Sequence, residues 1–184
     1  MTTRTPVRPT PRDAPAGATV FIGLGANLGD ARATLRDALD ALRALAAPGS
    51  FRTSSLYGSA PVDSSGPDYV NAVARLRTVL GPHALLDALQ AIERRFGRER
   101  PYRNAPRTLD LDILLFGVAG DAGGRAIADD RLVVPHPRAA QRSFVLAPLA
   151  ELWPDGEIPG AGRVADLLAA ALRDPAQRVE RLAS

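Results

Sequence analysis

Pro106-Arg107-Thr108-Leu109-Asp110-Leu111-Asp112-Ile113, running on through Leu114, Leu115 and Phe116, decides how this chain is read. Apolar and acidic residues alternate, which is the pattern of a strand. Side chains two apart on a strand share a face. Leu109, Leu111, Ile113 and Leu115 are therefore expected on one side, and Asp110 and Asp112 on the other, about 7 Å apart. Carboxylates on an otherwise apolar strand are costly to bury without a partner. A side-by-side pair suits a divalent cation with oxygen ligands, most simply Mg²⁺. The plain alternative is a half-exposed strand whose polar face happens to be acidic. Leu114, next on that face, is apolar and argues against simple solvation. Just upstream, Arg98, Arg100, Arg103 and Arg107 offer guanidinium groups suited to phosphate oxygens. Cation-binding acids beside phosphate-binding arginines point to chemistry on a nucleotide.

The rest of the composition narrows the field. The chain has 184 residues, enough for one domain with its own core. There is no cysteine, so disulfides, thiolate catalysis and Cys-based zinc sites are out. There is no lysine either: all 23 basic residues are arginine. That removes a phosphate-loop lysine, a Schiff base and a lysine nucleophile. It also lowers the meaning of any single arginine, because arginine fills every cationic position. A net charge of +3 permits nucleic-acid binding without indicating it. No apolar run is long enough for a membrane span, and a cytoplasmic location is expected.

Working outward, residues 1–17 carry four prolines and three arginines and read as a disordered tail. They lack the apolar centre of a secretory signal, and the prolines break the amphipathic helix of a transit peptide. Residues 18–184 are expected to form a single domain. A strand is predicted from Ala18 to Leu24, a helix from about Asp30 to Ala47 and a second strand over Phe51 to Tyr57. A loop follows to Asp68, and a third strand over Tyr69 to Leu80. Gly81-Pro82 opens a second helix with a Leu85, Leu89, Ile92, Phe96 stripe, closed by Gly97. Then come the arginine loop and the aspartate strand. The order βαββαβ is that of a ferredoxin-like α+β fold, an antiparallel-rich sheet with helices on one face. A short strand over Leu132 to Val134 and two closing helices, Ser143 to Leu152 and Val164 to Leu172, make a C-terminal helical extension.

Further candidates lie outside the aspartate strand. His136, between Pro135 and Pro137, is held rigidly and suits a donor aimed at a phosphate. Arg142 opens a predicted helix, where it and the free N–H groups face an anion. Tyr69 and Asn71 share a strand face, and an asparagine amide both donates and accepts, as an amide-bearing heterocycle requires. Tyr69 and Phe144 offer aromatic stacking. Gly23 and Gly25 lack the full dinucleotide pattern, since Leu28 fills its last position, and read as room for backbone packing beside a site. His83, in the first turn of a helix, reads as surface.

Together, "PRTLDLDILLFG", "VPHPRAAQRSFVLAPLAEL", "GLGANLGD", "PDYVNAV" and "IERRFGR" resemble the 6-hydroxymethyl-7,8-dihydropterin pyrophosphokinase family of folate biosynthesis, over about Val20 to Leu152. The resemblance implies a ferredoxin-like fold and transfer of the β,γ-diphosphate of ATP to the pterin hydroxymethyl group, with release of AMP. It implies two Mg²⁺ ions held by Asp110 and Asp112, and ATP and the pterin alcohol as the small-molecule partners of a monomer. Arg98 and Arg107 match the loop arginines that steady the triphosphate. Arg131, His136 and Arg142 match ATP-binding positions, and Glu93 and Ile113 lie where the family also contacts the nucleotide. Tyr69, Asn71 and Phe144 match the pterin pocket, with Asp110 at its edge. Ser59, Ala60 and Val62 fall in the loop that touches the pterin through its backbone. The chain departs from the family where Asn104-Ala105 stands in place of a frequent tryptophan, with Tyr102 nearby.

Two other classes stay open on the residues alone. A ferredoxin-like module can bind RNA through sheet aromatics, but only five Phe, three Tyr and one Trp are present. A different Mg²⁺-dependent nucleotidyl or phosphoryl transferase would leave ADP or pyrophosphate rather than AMP.

Overall fold

The structure, a computed structural model, describes residues 17–61, 66–97, 108–117 and 124–183. Strand β1 (Ala18–Ala26) alternates between two cores. Val20, Ile22, Leu24 and Ala26 enter one, and Phe21 enters the other. Helix α1 (Ala31–Arg43) is capped by Asp30, whose carboxylate accepts the Ala33 N–H at 3.0 Å. Such a cap contributes about 1 kcal/mol. The helix buries Leu35, Ala38, Leu39 and Leu42 against the sheet, each leucine contributing about 1.5–3 kcal/mol of transfer free energy.

The predicted second strand is broken into two pieces, β2 (Arg52–Thr53) and β3 (Tyr57–Ser59). Ser54 breaks it: its N–H bonds to Val73 O at 2.9 Å, and its hydroxyl accepts the Val73 N–H at 3.0 Å. Strand β4 (Tyr69–Thr78) and helix α2 (Pro82–Arg95) follow as the sequence predicts. Gly97, at φ +72°, takes the left-handed position after the helix end. Strand β5 (Asp110–Phe116) carries the aspartates. A small hairpin of β6 (Ile127–Ala128) and β7 (Val133–Val134) leads to α3 (Ser143–Leu152). A second hairpin, β8 (Glu157–Ile158) with β9 (Gly162–Arg163), leads to α4 (Val164–Ala171). Strand β10 (Val179–Arg181) ends the chain's regular structure.

The sheet runs β10-β3-β4-β1-β5, with β2 also paired to β4, and every pairing is antiparallel. The four strands named from sequence thus lie in the split order that the ferredoxin-like reading requires. Two features depart from it. Helices cover both faces rather than one: α1 and α2 pack on one, and the C-terminal helices α3 and α4 on the other, around Phe21, Leu114, Leu115, Leu146 and Leu149. Strand β10 has no counterpart among the elements expected from sequence, and it covers what would otherwise be the free edge of β3.

The aspartate strand also differs in detail. Leu109, Leu111 and Ile113 enter the α1/α2 core as expected, but Leu115 enters the α3/α4 core. The register explains it: Ile22 pairs with Ile113, yet Phe21 pairs with Leu115, so one extra residue is inserted in β5. This bulge turns Leu114 and Leu115 towards the same layer, and alternation resumes with Phe116.

Candidate active site

The site begins with missing side chains. On the α3/α4 face of the sheet, Phe21 is covered by Trp153, with ring centroids 5.2 Å apart. Further along the same face of β1 come Gly23 and Gly25, and the helices do not cover them. Gly25 pairs with Asn71 of β4 on one side and Asp110 of β5 on the other. Gly23 pairs with Val73 and with Asp112 in the same way. Paired residues on antiparallel strands point to one face. Asn71 and Asp110 therefore flank a strip of bare backbone, about 10 Å apart across two strand spacings. A side chain at Gly23 would meet Leu114 at 3.2 Å, and one at Gly25 would meet the Asn71 carbonyl oxygen at 3.4 Å.

Over this floor opens a cleft with about 900 Å³ of empty space, part of it open solvent. One wall is Ser59 and Ala60 with Tyr69 and Asn71. Asn71 is only 4% exposed. Its Nδ2 donates to Ser59 Oγ at 3.0 Å and towards Tyr57 O at 3.4 Å. Those two bonds fix the amide with its oxygen towards the cleft. The opposite wall is Asp110, Asp112 and His136. Glu93, on α2 beneath the sheet, is 1% exposed, and its carboxylate accepts the Leu111 N–H at 2.8 Å. It pins β5 from below at the residue between the two aspartates.

His136 hangs from β5 through its backbone N–H, which donates to Leu114 O at 2.9 Å. Its Nδ1 accepts the Arg138 N–H at 3.2 Å. In the neutral ring Nε2 is therefore the donor. Burial lowers the His136 pKa; Arg142 and Arg138 push the same way, while Asp112 and Asp110 oppose it. The far end of the cleft is Arg142, Phe144 and Val145, at the start of α3. The Arg142 guanidinium lies 5.4 Å from the Phe144 ring centre, a cation–π contact.

The fold thus brings Ser59, Ala60, Tyr69, Asn71, Asp110, Asp112, His136, Arg142 and Phe144 to one cleft. It does not bring Arg131, Glu93 or Ile113 into its lining. Arg131 is paired with Asp87 of α2, on a turn where Asp129 accepts the N–H groups of Arg131 and Leu132 at 2.9 Å. Those bonds, the one from Arg131 first, hold the Asp129 carboxyl below its usual range. His83, expected at the surface, is half exposed and meets Asp129 at 2.9 Å. Ile113 belongs to the α1/α2 core. Val62, Arg98 and Arg107 lie outside the described residues, as do Tyr102 and Asn104. Val73, Leu114 and Val145 line the cleft without having been singled out as its lining. Leu114 was legible as the next residue on the aspartate face; the other two carry no sequence signal of their own.

Asp110 and Asp112 supply hard oxygen donors side by side. Among the described residues no group of three or more acidic or histidine side chains forms a metal cage by itself. Mg²⁺ needs none: it commonly takes one or two carboxylates and completes its octahedron with water and phosphate oxygens. The donor set fits that ion.

Known proteins are similar to this chain over most of its length. The family model for 7,8-dihydro-6-hydroxymethylpterin-pyrophosphokinase matches residues 21–154. A 2-amino-4-hydroxy-6-hydroxymethyldihydropteridine pyrophosphokinase of Pseudomonas aeruginosa is 45% identical over 164 residues, covering 89% of this chain and 96% of its own. One from Haemophilus influenzae is 42% identical over 151 residues, covering 82% and 91%. Among solved structures, a Plasmodium falciparum HPPK-DHPS triple mutant with pteroate superposes with a TM-score of 0.69 at 13% identity. It covers 92% of this chain, which spans 47% of that longer one, and the likeness is one of fold.

Proposed function

This chain belongs to the 7,8-dihydro-6-hydroxymethylpterin-pyrophosphokinase family, and we propose that its cleft seats the pterin alcohol on the Asn71 side and the triphosphate of ATP on the side of Asp110 and Asp112. The enzyme transfers the β,γ-diphosphate of ATP to the hydroxymethyl group of 6-hydroxymethyl-7,8-dihydropterin, giving the pterin diphosphate and AMP, a step of folate synthesis. The observation that carries the seating is the shared glycine: Asn71 and Asp110 are partners of Gly25 on opposite sides. A flat ring laid on that strip has an amide at one edge and a carboxylate at the other.

The residues then take distinct tasks. The Asn71 carbonyl oxygen accepts from the pterin's N–H edge, and Phe144 and Tyr69 close on its faces. Ser59 holds the Asn71 amide in that orientation. The alcohol oxygen attacks the β-phosphorus, the bond from that phosphorus to the α-phosphate oxygen breaks, and AMP leaves. Asp110, level with Asn71, is assigned the alcohol's proton. His136 donates from Nε2 to a phosphate oxygen, and Arg142 adds a fixed positive charge at the mouth of α3. Asp110 and Asp112 would hold Mg²⁺, two ions by the family resemblance, and that positive charge would offset the charge developing on the phosphate oxygens. Arg98 and Arg107 are assigned the remaining triphosphate charge. Glu93 and Ile113 act through β5, and Arg131 through the hairpin beside it. Residues 18–184 are read as one catalytic domain acting as a cytoplasmic monomer; no helix of the described residues is long and apolar enough to cross a membrane.

The test is direct. Protein, ATP, Mg²⁺ and the pterin alcohol are incubated and the nucleotide product is identified by ion-exchange chromatography. AMP formed mole for mole with pterin diphosphate supports the reading. ADP or pyrophosphate would overturn it in favour of another transferase.

A further inference from the structure

The segment after α4 touches both walls of the cleft. Strand β10 pairs with β3: Val179 with Ser59, Glu180 with Gly58 and Arg181 with Tyr57. The zipper continues one step, because the Leu182 N–H donates to Leu56 O at 2.8 Å. Gly58 leaves the space that Leu182 fills, since a side chain there would come within 3.1 Å of it. A side-chain cluster locks the same edge. Glu151, near the end of α3, accepts from the Ser55 N–H at 3.1 Å, the Ser55 hydroxyl at 3.0 Å and the Tyr57 hydroxyl at 2.9 Å. Arg181 Nε donates to Ser55 Oγ at 2.8 Å. Burial, and then the Glu151 carboxylate, push the Tyr57 hydroxyl up to about 12, so this donor stays protonated at ordinary pH.

Two residues before β10, the same segment holds the other wall. Helix α3 has no side-chain cap from its own N-cap residue, Arg142. Gln177 supplies the missing acceptor: its Oε1 takes the Ser143 N–H at 3.1 Å. The Ser143 hydroxyl donates to the Gln177 carbonyl oxygen. Ser143 is 1% exposed and sits between Arg142 and Phe144, both in the cleft lining. A lone N-terminal N–H of a buried helix end needs a partner, and here the partner is attached to the strand that braces Ser59.

We propose that residues 175–181 are a positioning element for diphosphate transfer, in which Gln177 sets the Arg142–Phe144 end of the cleft at a fixed spacing from the Ser59–Asn71 wall. The element lies beyond the stretch matched by the family model, which ends at residue 154. The inference rests on the seating of the pterin alcohol described above. Gln177 touches neither substrate in this arrangement; it acts through Ser143 on Phe144.

The experiment uses the full chain and steady-state kinetics with both substrates. Wild-type production of AMP first tests the functional reading by itself. Gln177→Leu keeps the volume and removes the acceptor; it is expected to raise the KM for the pterin alcohol about fivefold, with kcat reduced less. Gln177→Glu keeps an acceptor oxygen and is expected to stay within about twofold of wild type. In Phe144→Ala the Gln177→Leu change should add almost nothing, because the residue it positions is gone. If Gln177→Leu fails to fold, Ser143→Ala, which removes only the second bond, is measured in the same way and is expected to show a smaller rise in the same constant. Unchanged pterin KM in the soluble variant, equal damage by Leu and Glu, or full additivity with Phe144→Ala would each overturn the proposal.

Discussion

The Nδ1 atom of His136 accepts the backbone N–H of Arg138, so the ring presents Nε2 to the cleft. Burial then lowers its pKa below the ordinary 6.5. A folded-state pKa below the unfolded one gives stability that is present above pH 6.5 and lost as pH falls through the folded value. Carbon-detected NMR titration of the metal-free protein should place the His136 midpoint below 6.5. In Asp112→Asn the midpoint should fall further, because that carboxylate raises it, and in Arg142→Ala it should rise. Shifts of opposite sign would refute this electrostatic picture.

If Asp112 holds Mg²⁺ as proposed, Asp112→Asn should reduce turnover about a hundredfold or more at saturating Mg²⁺, since one fewer negative charge would face the cation. Unfolding temperature should change little, because Asp112 lies at the half-buried cleft rather than in either core. Near-normal turnover would count against the metal assignment.

Gly25→Val places a branched side chain on the floor between Asn71 and Asp110. The nearest atom to its first carbon is the Asn71 side-chain oxygen at 3.4 Å, an ordinary van der Waals contact. A pterin seated on this strip as proposed would claim the same space as the branched methyl groups. The KM for the pterin alcohol should rise about tenfold while the chain still folds. A variant with unaltered pterin KM would remove the ring from this strip.

Glu93→Ala leaves the Leu111 N–H without its buried acceptor. The expected cost is about 1–3 kcal/mol of stability, read by urea unfolding. The Leu111 N–H should also lose hydrogen-exchange protection ahead of its neighbours, because the bond lost is its own. If stability is unchanged, the brace under the aspartate strand has no energetic weight.

Much of this arrangement was legible because the sequence writes it in short repeats. Asp110 and Asp112 alternate with core residues, and Tyr69 and Asn71 do the same, so the face they share follows from strand geometry alone. Gly23 and Gly25 read as room for backbone packing beside a site, whereas the register makes them a bare strip with Asn71 and Asp110 on its two sides. Other features depend on contacts between distant residues. Leu115 follows the expected alternation in sequence and breaks it in space, because the bulge is set by pairing with Phe21. Arg131 sits beside a nucleotide motif in sequence, yet its side chain goes to Asp87, 44 residues away. Strand β10 has only three residues, too few to show an alternation in sequence; the open edge of β3 gives it a reason to exist. The four arginines that first suggested phosphate chemistry lie outside the described residues.

The irregularity at Leu114 also bears on transplanting this strand. Its first half faces the cleft and the α1/α2 layer in strict alternation, while its second half supplies the α3/α4 layer with two neighbouring leucines. A designer who copied the acidic stretch into a regular sheet would send Leu115 to the wrong side, and α3 would lose the surface that holds Arg142 and Phe144 over the acids. The offset has to travel with the motif.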